Sequence, residues 1–197
     1  NPDSLRYFFI ANGPEKRDTD FSWREFVERN NSELVGAYGN FINRTLAFIK
    51  NYFGGIVPQG RPDPVIQNEI ADLYEKAGPR IENGQLKDAL DTIFNFVRSG
   101  NKYFDANQPW KTRTENQEHC CDTLFNCVQI IANLAILLYP FLPCTSERIC
   151  SWLGLKNGWA FQSVHAGVRL PEISILFERP DKGIIDKELK RLNSESR

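Results

Sequence analysis

The sequence predicts an all-α helical bundle. Along four long segments the apolar residues recur at steps of three and four, which is the spacing of one face of an α-helix. Capping sequences open these segments, and glycine or proline follows their ends. Of the 197 residues, 41% are hydrophobic and 25% are charged, a composition that excludes a disordered or collagen-like chain. We therefore expect four main helices and one or two short ones.

The first predicted helix starts at a capping box, SWRE at residues 22–25, in which the Ser22 and Glu25 side chains satisfy backbone N–H groups at the helix start. The apolar stripe continues until Gly54-Gly55, so the helix has roughly 30 residues and a length of about 45 Å. The stripe consists of Val27, Leu34, Tyr38, Phe41, Thr45, Leu46, Ile49 and Tyr52.

Proline and glycine set the bounds of the next two helices. The pair Asp63-Pro64 supplies an N-cap and a first-turn proline for the second helix, which Gly78-Pro79 is expected to kink or end. The third helix follows Gly84 and stops before Pro109, so that Trp110 is expected in a tight segment just past the helix end. The third stripe consists of Leu86, Leu90, Ile93, Val97, Gly100 and Phe104.

The fourth helix is predicted to be central, because few polar residues interrupt its apolar run. A second capping box, TENQ at residues 114–117, should open it, and Tyr139-Pro140 should end it. A short helix is then expected over residues 145–153, followed by an irregular segment at 156–171 and extended chain at 174–177. The charged residues 181–197 are typical of an amphipathic helix lying on the body.

Known signatures of catalysis are missing from the sequence, which contains no phosphate-binding loop, dinucleotide fingerprint, nucleophile elbow or zinc-protease motif. The five cysteines are odd in number and form no C-x-x-C pair, so neither a disulfide framework nor a metal site is expected. The most apolar stretch, residues 128–143, is shorter than the roughly 20 residues of a membrane helix and is expected to be a buried core helix. No catalytic residue, metal or membrane contact is predicted.

The net charge of −1 means that nucleic-acid binding would depend on local placement of charge. Residues 34–62 contain no acid, and a second positive segment near the end of the third helix contains one acid, Asp105. Both segments are candidates for phosphate contact. The basic residues of the first are Arg44, Lys50 and Arg61, and those of the second are Arg98, Lys102, Lys111 and Arg113.

Three side chains suggest recognition of unpaired bases. Asn40 and Arg44 are four residues apart, so they neighbour each other about 110–150° from the centre of the first stripe. The amide can read a base edge, and the guanidinium can stack on a base or bind phosphate. Trp110 can act as a stacking platform. The alternatives are a solvated polar face for Asn40 and Arg44, and a core residue covering the helix end for Trp110.

Five motifs occur in an order that resembles the anticodon-binding helical domain of methionyl-tRNA synthetase. They are DFSW at 20–23, NSELVG at 31–36, GNFINR at 39–44, DANQPW at 105–110 and PFLPCTSE at 140–147. Residues 3–12 resemble the segment that joins the catalytic half of that family to the bundle. The resemblance implies a connecting segment at 1–21, an anticodon-binding bundle at 22–154 and a C-terminal extension with a terminal helix packing on it at 155–197.

The resemblance also implies a function. The bundle would recognise the CAU anticodon of methionine tRNA through Asn40, Arg44 and Trp110, with Pro109 and Asp105 shaping the pocket. Asp105 could accept a hydrogen bond from a base amino group such as that of cytosine, or bond locally.

The parent enzyme implied by the family is a cytoplasmic ligase that attaches methionine to tRNA with ATP and Mg²⁺. Its nucleotide-binding motifs are not in this chain, which lacks methionine altogether, so a processed or excised piece is expected that binds no cofactor and is inactive alone. The expected partners are methionine tRNA and the catalytic domain of the parent, with no DNA. Two alternatives are a helical protein-interaction module and the anticodon domain of a valyl, isoleucyl or leucyl synthetase.

Overall fold

The computed structural model describes residues 2–13, 21–156 and 158–180, together with residues 183 and 191. Within these residues the regular elements are helices and there is no strand, apart from one isolated antiparallel bridge between Ile56 and Arg169. The all-α prediction is therefore confirmed. Apart from residues 183 and 191, the segment 181–197, for which a terminal helix is predicted, falls outside the described residues.

The order of the helices matches the order of the predicted stripes. The predicted 30-residue helix runs without a break from residue 23 to residue 52 and has a π-helical middle. It consists of three consecutive elements, which are α2 (Trp23–Arg29), a π-helix (Asn30–Gly39) and α3 (Asn40–Tyr52). The bounds are α1 Pro2–Ala11, α2 Trp23–Arg29, the π-helix Asn30–Gly39, α3 Asn40–Tyr52, α4 Pro64–Glu82, α5 Leu86–Asn107, α6 Pro109–Glu115, α7 Gln117–Leu137 and α8 Pro143–Leu153.

Two glycines allow the wide turns of the π-helix. A Cβ at Gly36 would lie 2.9 Å from the carbonyl oxygen of Asn31, and a Cβ at Gly39 would lie 2.8 Å from that of Leu34. In both cases the carbonyl belongs to the residue five positions earlier, which is the hydrogen-bonding partner in a π-helix. The absence of a side chain at these positions relieves that crowding.

Two helix boundaries differ from the sequence-based expectation. Helix α4 does not end at Gly78-Pro79, where a kink or an end was expected, and continues to Glu82. Pro79 and Glu75, whose carbonyl loses its partner, both lie on the exposed side where water can bind. Helix α7 is capped by the Asn116 side chain, which accepts a hydrogen bond from the His119 N–H at 3.1 Å. The Thr114 hydroxyl predicted for that role belongs to the preceding helix, α6.

Helix α7 forms the centre of the core and packs against α3, α4, α5, α6 and α8. It is also the one described helix that is long and apolar enough to cross a membrane, but 89% of that stretch is buried inside the bundle. Burial on all sides by neighbouring helices is typical of a core helix, as the sequence predicted.

Two buried polar residues on α7 bind the irregular chain that follows α8. Gln129 donates to the Val164 carbonyl and accepts from the Val164 N–H, both at 2.9 Å. One turn later, Asn133 donates to the Gln162 carbonyl at 2.9 Å and accepts from the Gln162 N–H at 2.8 Å and from the Tyr74 hydroxyl at 3.1 Å. The irregular segment is thereby attached to the core through hydrogen bonds between these α7 side chains and its own backbone.

Residues 174–177, predicted to be extended, form no strand.

The N-terminal helix α1 is attached to the bundle through a buried carboxylate. Asp3 accepts hydrogen bonds from the Thr145 N–H at 2.6 Å and the Cys144 N–H at 3.4 Å. These N–H groups belong to the first turn of α8, where backbone donors have no partner within the helix. The Asp3 side chain therefore caps a helix that lies about 140 residues later in the chain.

A side chain at Gly60 is expected to destabilise the fold. The Cβ of Gly60→Ala would lie 2.5 Å from the Phe125 Cβ and 2.7 Å from the Cys121 carbonyl oxygen, so the loop before α4 would have to move off α7. We expect the free energy of unfolding in a urea titration to fall by about 1–3 kcal/mol.

The matched control is Gly78→Ala on α4. Its Cβ would approach only the Trp159 side chain, at 3.4 Å, and alanine in a helix is favoured over glycine by about 0.5–1 kcal/mol. This variant should be as stable as the wild type or more stable. Equal stability of the Gly60 and Gly78 variants would contradict the close packing described for Gly60.

Candidate nucleic-acid interface

Helices α3 and α5 lie side by side and present matched polar residues on one surface. The Asn40 amide donates to the Asn101 carbonyl oxygen at 3.2 Å, and the Arg44 Nη2 donates to the Asp105 carboxylate at 2.7 Å. Both contacts join residues 61 positions apart in the sequence. Helix α6 begins at the end of α5 and adds Trp110 to the same surface.

The Arg44 side chain is held between a carboxylate and two aromatic rings. Its Cζ lies 4.2 Å from the centroid of Phe104 and 5.9 Å from the centroid of Trp110. Phe104 is buried, so it supports the guanidinium from the core side. The ion pair with Asp105 neutralises the charge and fixes the plane of the guanidinium, which leaves N–H donors and one planar face for a ligand.

The orientation of the Asn40 amide follows from its partner. The Asn101 NH₂ group donates to the carbonyls of Ala37 at 3.1 Å and Val97 at 3.2 Å, so its oxygen faces Asn40. Asn40 must then direct its own NH₂ group toward Asn101, as observed. Among the described residues no donor to the Asn40 carbonyl oxygen is found, and this exposed oxygen is available to accept a hydrogen bond from a ligand.

Trp110 lies just past the end of α5, as predicted, and the segment that holds it is the first turn of another helix, α6. Gln108, with φ of 44°, ends α5 and starts α6 in the left-handed conformation. Pro109 then takes the first helical position, which proline favours because its missing N–H is not needed there. Pro109 is buried beneath the turn, and its carbonyl accepts from the Cys120 thiol at 3.6 Å.

The indole of Trp110 is 45% exposed and tilted by 34° relative to Phe104, with the ring centroids 6.1 Å apart. This exposure excludes the alternative in which Trp110 is a core residue. The structure thus brings Asn40, Arg44, Asp105 and Trp110 to one surface and places Pro109 beneath it.

Besides Arg44, two more of the basic residues considered for phosphate contact are already in ion pairs. Arg61 binds Asp122 and Glu118, each at 3.0 Å, and Arg98 binds Glu33 at 2.6 Å. They are therefore not free ligands for phosphate. The lysines of the two positive segments are Lys50, Lys102 and Lys111. All three are exposed and form no ion pair with any described residue.

Sequence reasoning missed Asn101 and Phe104 as components of this surface. The signal for Asn101 is its four-residue spacing from Asp105 on α5, which repeats the spacing of Asn40 and Arg44 on α3. Phe104 was assigned only to the core stripe. It is buried, but one face of its ring supports Arg44.

None of the five cysteines forms a disulfide. Cys127 is buried in the core, and burial raises the pKa of its thiol far above the usual range. No group of three or more metal-ligating side chains is found among the described residues.

The family of anticodon-binding domains of tRNA ligases matches residues 63–191, and the family of class I tRNA synthetases (M) matches residues 1–46. The chain is 49% identical over 193 residues to methionine–tRNA ligase 1 of Alkaliphilus oremlandii, covering 98% of this chain and 36% of that protein. It is 51% identical over 193 residues to the methionine–tRNA ligase of Bacillus cereus strain G9842, covering 98% of this chain and 35% of that protein. The chain therefore spans about a third of the length of these relatives.

The fold is similar to that of a solved synthetase. The crystal structure of the free state of Mycobacterium tuberculosis methionyl-tRNA synthetase matches with a TM-score of 0.84 and 25% sequence identity. The match covers 91% of this chain and 39% of that chain.

Proposed function

Because the chain belongs to the family of anticodon-binding domains of tRNA ligases, we propose that it is the part of a methionine–tRNA ligase that reads the CAU anticodon of methionine tRNA. The observation that carries the proposal is the joint surface of Asn40, Arg44, Asp105 and Trp110, built from α3, α5 and α6. An aromatic platform beside fixed hydrogen-bonding groups suits bases that are unpaired and unstacked, as in a tRNA loop.

The chemistry of this surface favours bases that carry an amino group where guanine and uracil carry a carbonyl oxygen, namely cytosine with N4 and adenine with N6. The carbonyl oxygen of Asn40 is a fixed acceptor, and the second oxygen of the Asp105 carboxylate is another. Adenine and cytosine present amino donors on their edges, whereas guanine O6 and uracil O4 are acceptors. The first two bases of CAU are of the matching kind. Trp110 would stack on one of them, and Arg44 would donate to a ring nitrogen or carbonyl.

The role of the domain in the longer ligase is positional. Contacts at the anticodon would hold the tRNA so that its acceptor end reaches the distant active site, which converts recognition of three bases into correct orientation of the reacting groups. Methionine, ATP and Mg²⁺ would bind in the catalytic domain of the parent. We expect this chain alone to form no methionyl-tRNA and to act in the cytoplasm.

The test is a binding titration with two RNA stem-loops that differ at one base. One carries the CAU anticodon and the other carries GAU, and both are titrated with the chain at low and moderate salt. We expect tighter binding of CAU by about 1–3 kcal/mol, because guanine O6, an acceptor, would take the position of the cytosine amino group opposite the acceptors of Asn40 and Asp105.

Equal affinity for the two loops would overturn the proposed reading of CAU. Preference for GAU would assign the chain to a synthetase of a different amino acid. Absence of RNA binding at low salt would favour a protein-interaction module.

A further inference from the structure

A second arginine rests on an aromatic ring next to the surface described above. The Arg113 Cζ lies 4.0 Å from the centroid of the Tyr52 ring, which closely matches the 4.2 Å between Arg44 and Phe104. Tyr52 is 51% exposed, although its position in the first apolar stripe predicted burial. The ring therefore serves as a platform at the surface and contributes little to the core.

The two arginine–aromatic pairs are joined by a row of rings. The Phe48 centroid lies 4.6 Å from that of Tyr52 and 6.4 Å from that of Phe104, and Phe104 in turn contacts Trp110. The row is carried by α3 on one side and by α5 and α6 on the other. On α6, Trp110 and Arg113 are three residues apart, so their Cβ atoms are separated by about 5–6 Å.

The two arginines differ in whether a carboxylate neutralises the guanidinium. Arg44 is neutralised by Asp105 at 2.7 Å, whereas Arg113 forms no ion pair with any described residue and is exposed. Its neighbour Lys111 is also exposed and unpaired within the described part of the chain. A guanidinium that lies over a ring and has no ion-pair partner among the described residues attracts a phosphate and can offer its other face to a base.

We propose that Arg113 stacked on Tyr52 is a second nucleotide-binding position, which holds an unpaired nucleotide adjacent to the one on Trp110. The inference rests on the proposed function, because its ligand is a neighbouring nucleotide of the same loop. The position binds through the face of the base and through the phosphate, and both features are common to all nucleotides. Unlike the surface around Asn40, it presents no fixed acceptor to a base edge, so it contributes affinity without selecting the base.

The experiment measures the affinity of the full chain for the CAU and GAU stem-loops and for an unrelated unstructured RNA, each at several salt concentrations. We expect Arg113→Ala to weaken binding of all three RNAs by about five- to tenfold and to leave the ratio of CAU to GAU affinity unchanged. The slope of log affinity against log salt should become shallower by about 0.7, which corresponds to the loss of one phosphate contact.

Two conservative variants separate stacking from charge. Arg113→Lys keeps the positive charge but cannot lie flat on the ring, so we expect it to keep the salt slope and lose most of the affinity contributed by Arg113. Tyr52→Phe keeps the ring and should bind all three RNAs with wild-type affinity. Tyr52→Leu removes the ring, so it should lose as much RNA affinity as Arg113→Lys and keep the salt slope. Both residues are exposed or half-exposed, so melting temperatures should remain within a few degrees of the wild-type value.

The control for loss of a guanidinium is Arg80→Ala. Arg80 is near the end of α4, next to the start of α5, and the rise of the helix places it about 30 Å from the end of α5 that carries Asp105. This variant should bind every RNA as the wild type does.

The outcomes separate this inference from the proposed function. If CAU is preferred but Arg113→Ala and Tyr52→Leu bind like the wild type, the second position is overturned and the reading of the anticodon stands. If no loop is preferred but Arg113→Ala still weakens all three RNAs, the proposed reading fails and the second position stands. Wild-type RNA affinity of Arg113→Lys would overturn the stacking. A loss of CAU preference in Arg113→Ala would overturn the lack of selectivity. Absence of any RNA binding would overturn both proposals.

Discussion

Replacing Trp110 by alanine is expected to weaken binding of the CAU stem-loop by about 5- to 150-fold, or about 1–3 kcal/mol. The indole is held at the start of α6 by the Gln108-Pro109 turn and is 45% exposed, so a base can stack on it without displacing other side chains. Removal of the ring eliminates this platform. The measurement is a fluorescence anisotropy titration of the labelled stem-loop.

The control for this substitution is Trp159→Ala. Trp159 is 43% exposed, nearly the same fraction as Trp110, but it packs against Tyr74 of α4. We expect Trp159→Ala to bind the stem-loop as the wild type does, and Trp110→Ala to keep the wild-type melting temperature. A large fall in the melting temperature of Trp110→Ala, with binding lost only in proportion to unfolding, would show that Trp110 stabilises the fold and does not bind RNA.

Replacing Asn133 by leucine is expected to lower the free energy of unfolding by about 3–5 kcal/mol. The Asn133 side chain is fully buried and has hydrogen-bonding partners at Tyr74, Gln129 and Gln162. Leucine has a similar volume, so it fills the space but leaves these partners without hydrogen bonds in the core. A urea titration measures the loss.

Hydrogen exchange gives a second and local readout for Asn133→Leu. The Gln162 and Val164 N–H groups donate to Asn133 and Gln129 in the wild type, so they should exchange slowly, and they should exchange faster in the variant. Ser99→Ala removes one exposed hydroxyl from α5 and serves as the control. Wild-type stability and protection in Asn133→Leu would contradict the role assigned to the hydrogen bonds between α7 and the irregular segment.

Helix positions were predictable from the sequence where local chemistry sets them. The Asp63-Pro64 start of α4, the Gly154 end of α8 and the bounds of α5 follow from capping and from apolar spacing. The π-helix could not be predicted from apolar spacing. An apolar stripe assumes the constant rotation per residue of an α-helix, and a π-helix has a different rotation. The cap at Asn116 was missed because Thr114 matches the same motif, and only the extra turn of α6 decides between them.

The composition of the candidate site was only partly predictable. The spacing of Asn40 and Arg44 and the stacking capacity of Trp110 are local properties, so the sequence alone suggested them. Their assembly with Asp105 depends on how α3 packs against α5, which no local pattern encodes, and Asp105 was assigned through the family resemblance. The role of Tyr52 was missed because a tyrosine at the end of an apolar stripe has the same pattern whether it is buried or exposed.

We expect the carboxylate of Asp3 to raise the force that is needed to detach α1 from the bundle. Asp3 accepts a hydrogen bond from the first turn of α8, and the Tyr7 ring centroid lies 4.9 Å from that of Phe94 on α5, so α1 is fixed to the bundle at two points. A force or torque applied to the chain at α1 would therefore pass directly into α5, a stiff rod about 33 Å long whose far end carries Asp105. In a pulling experiment with handles at residues 2 and 110, the bundle should stay intact until α1 detaches, and Asp3→Ala should lower that rupture force.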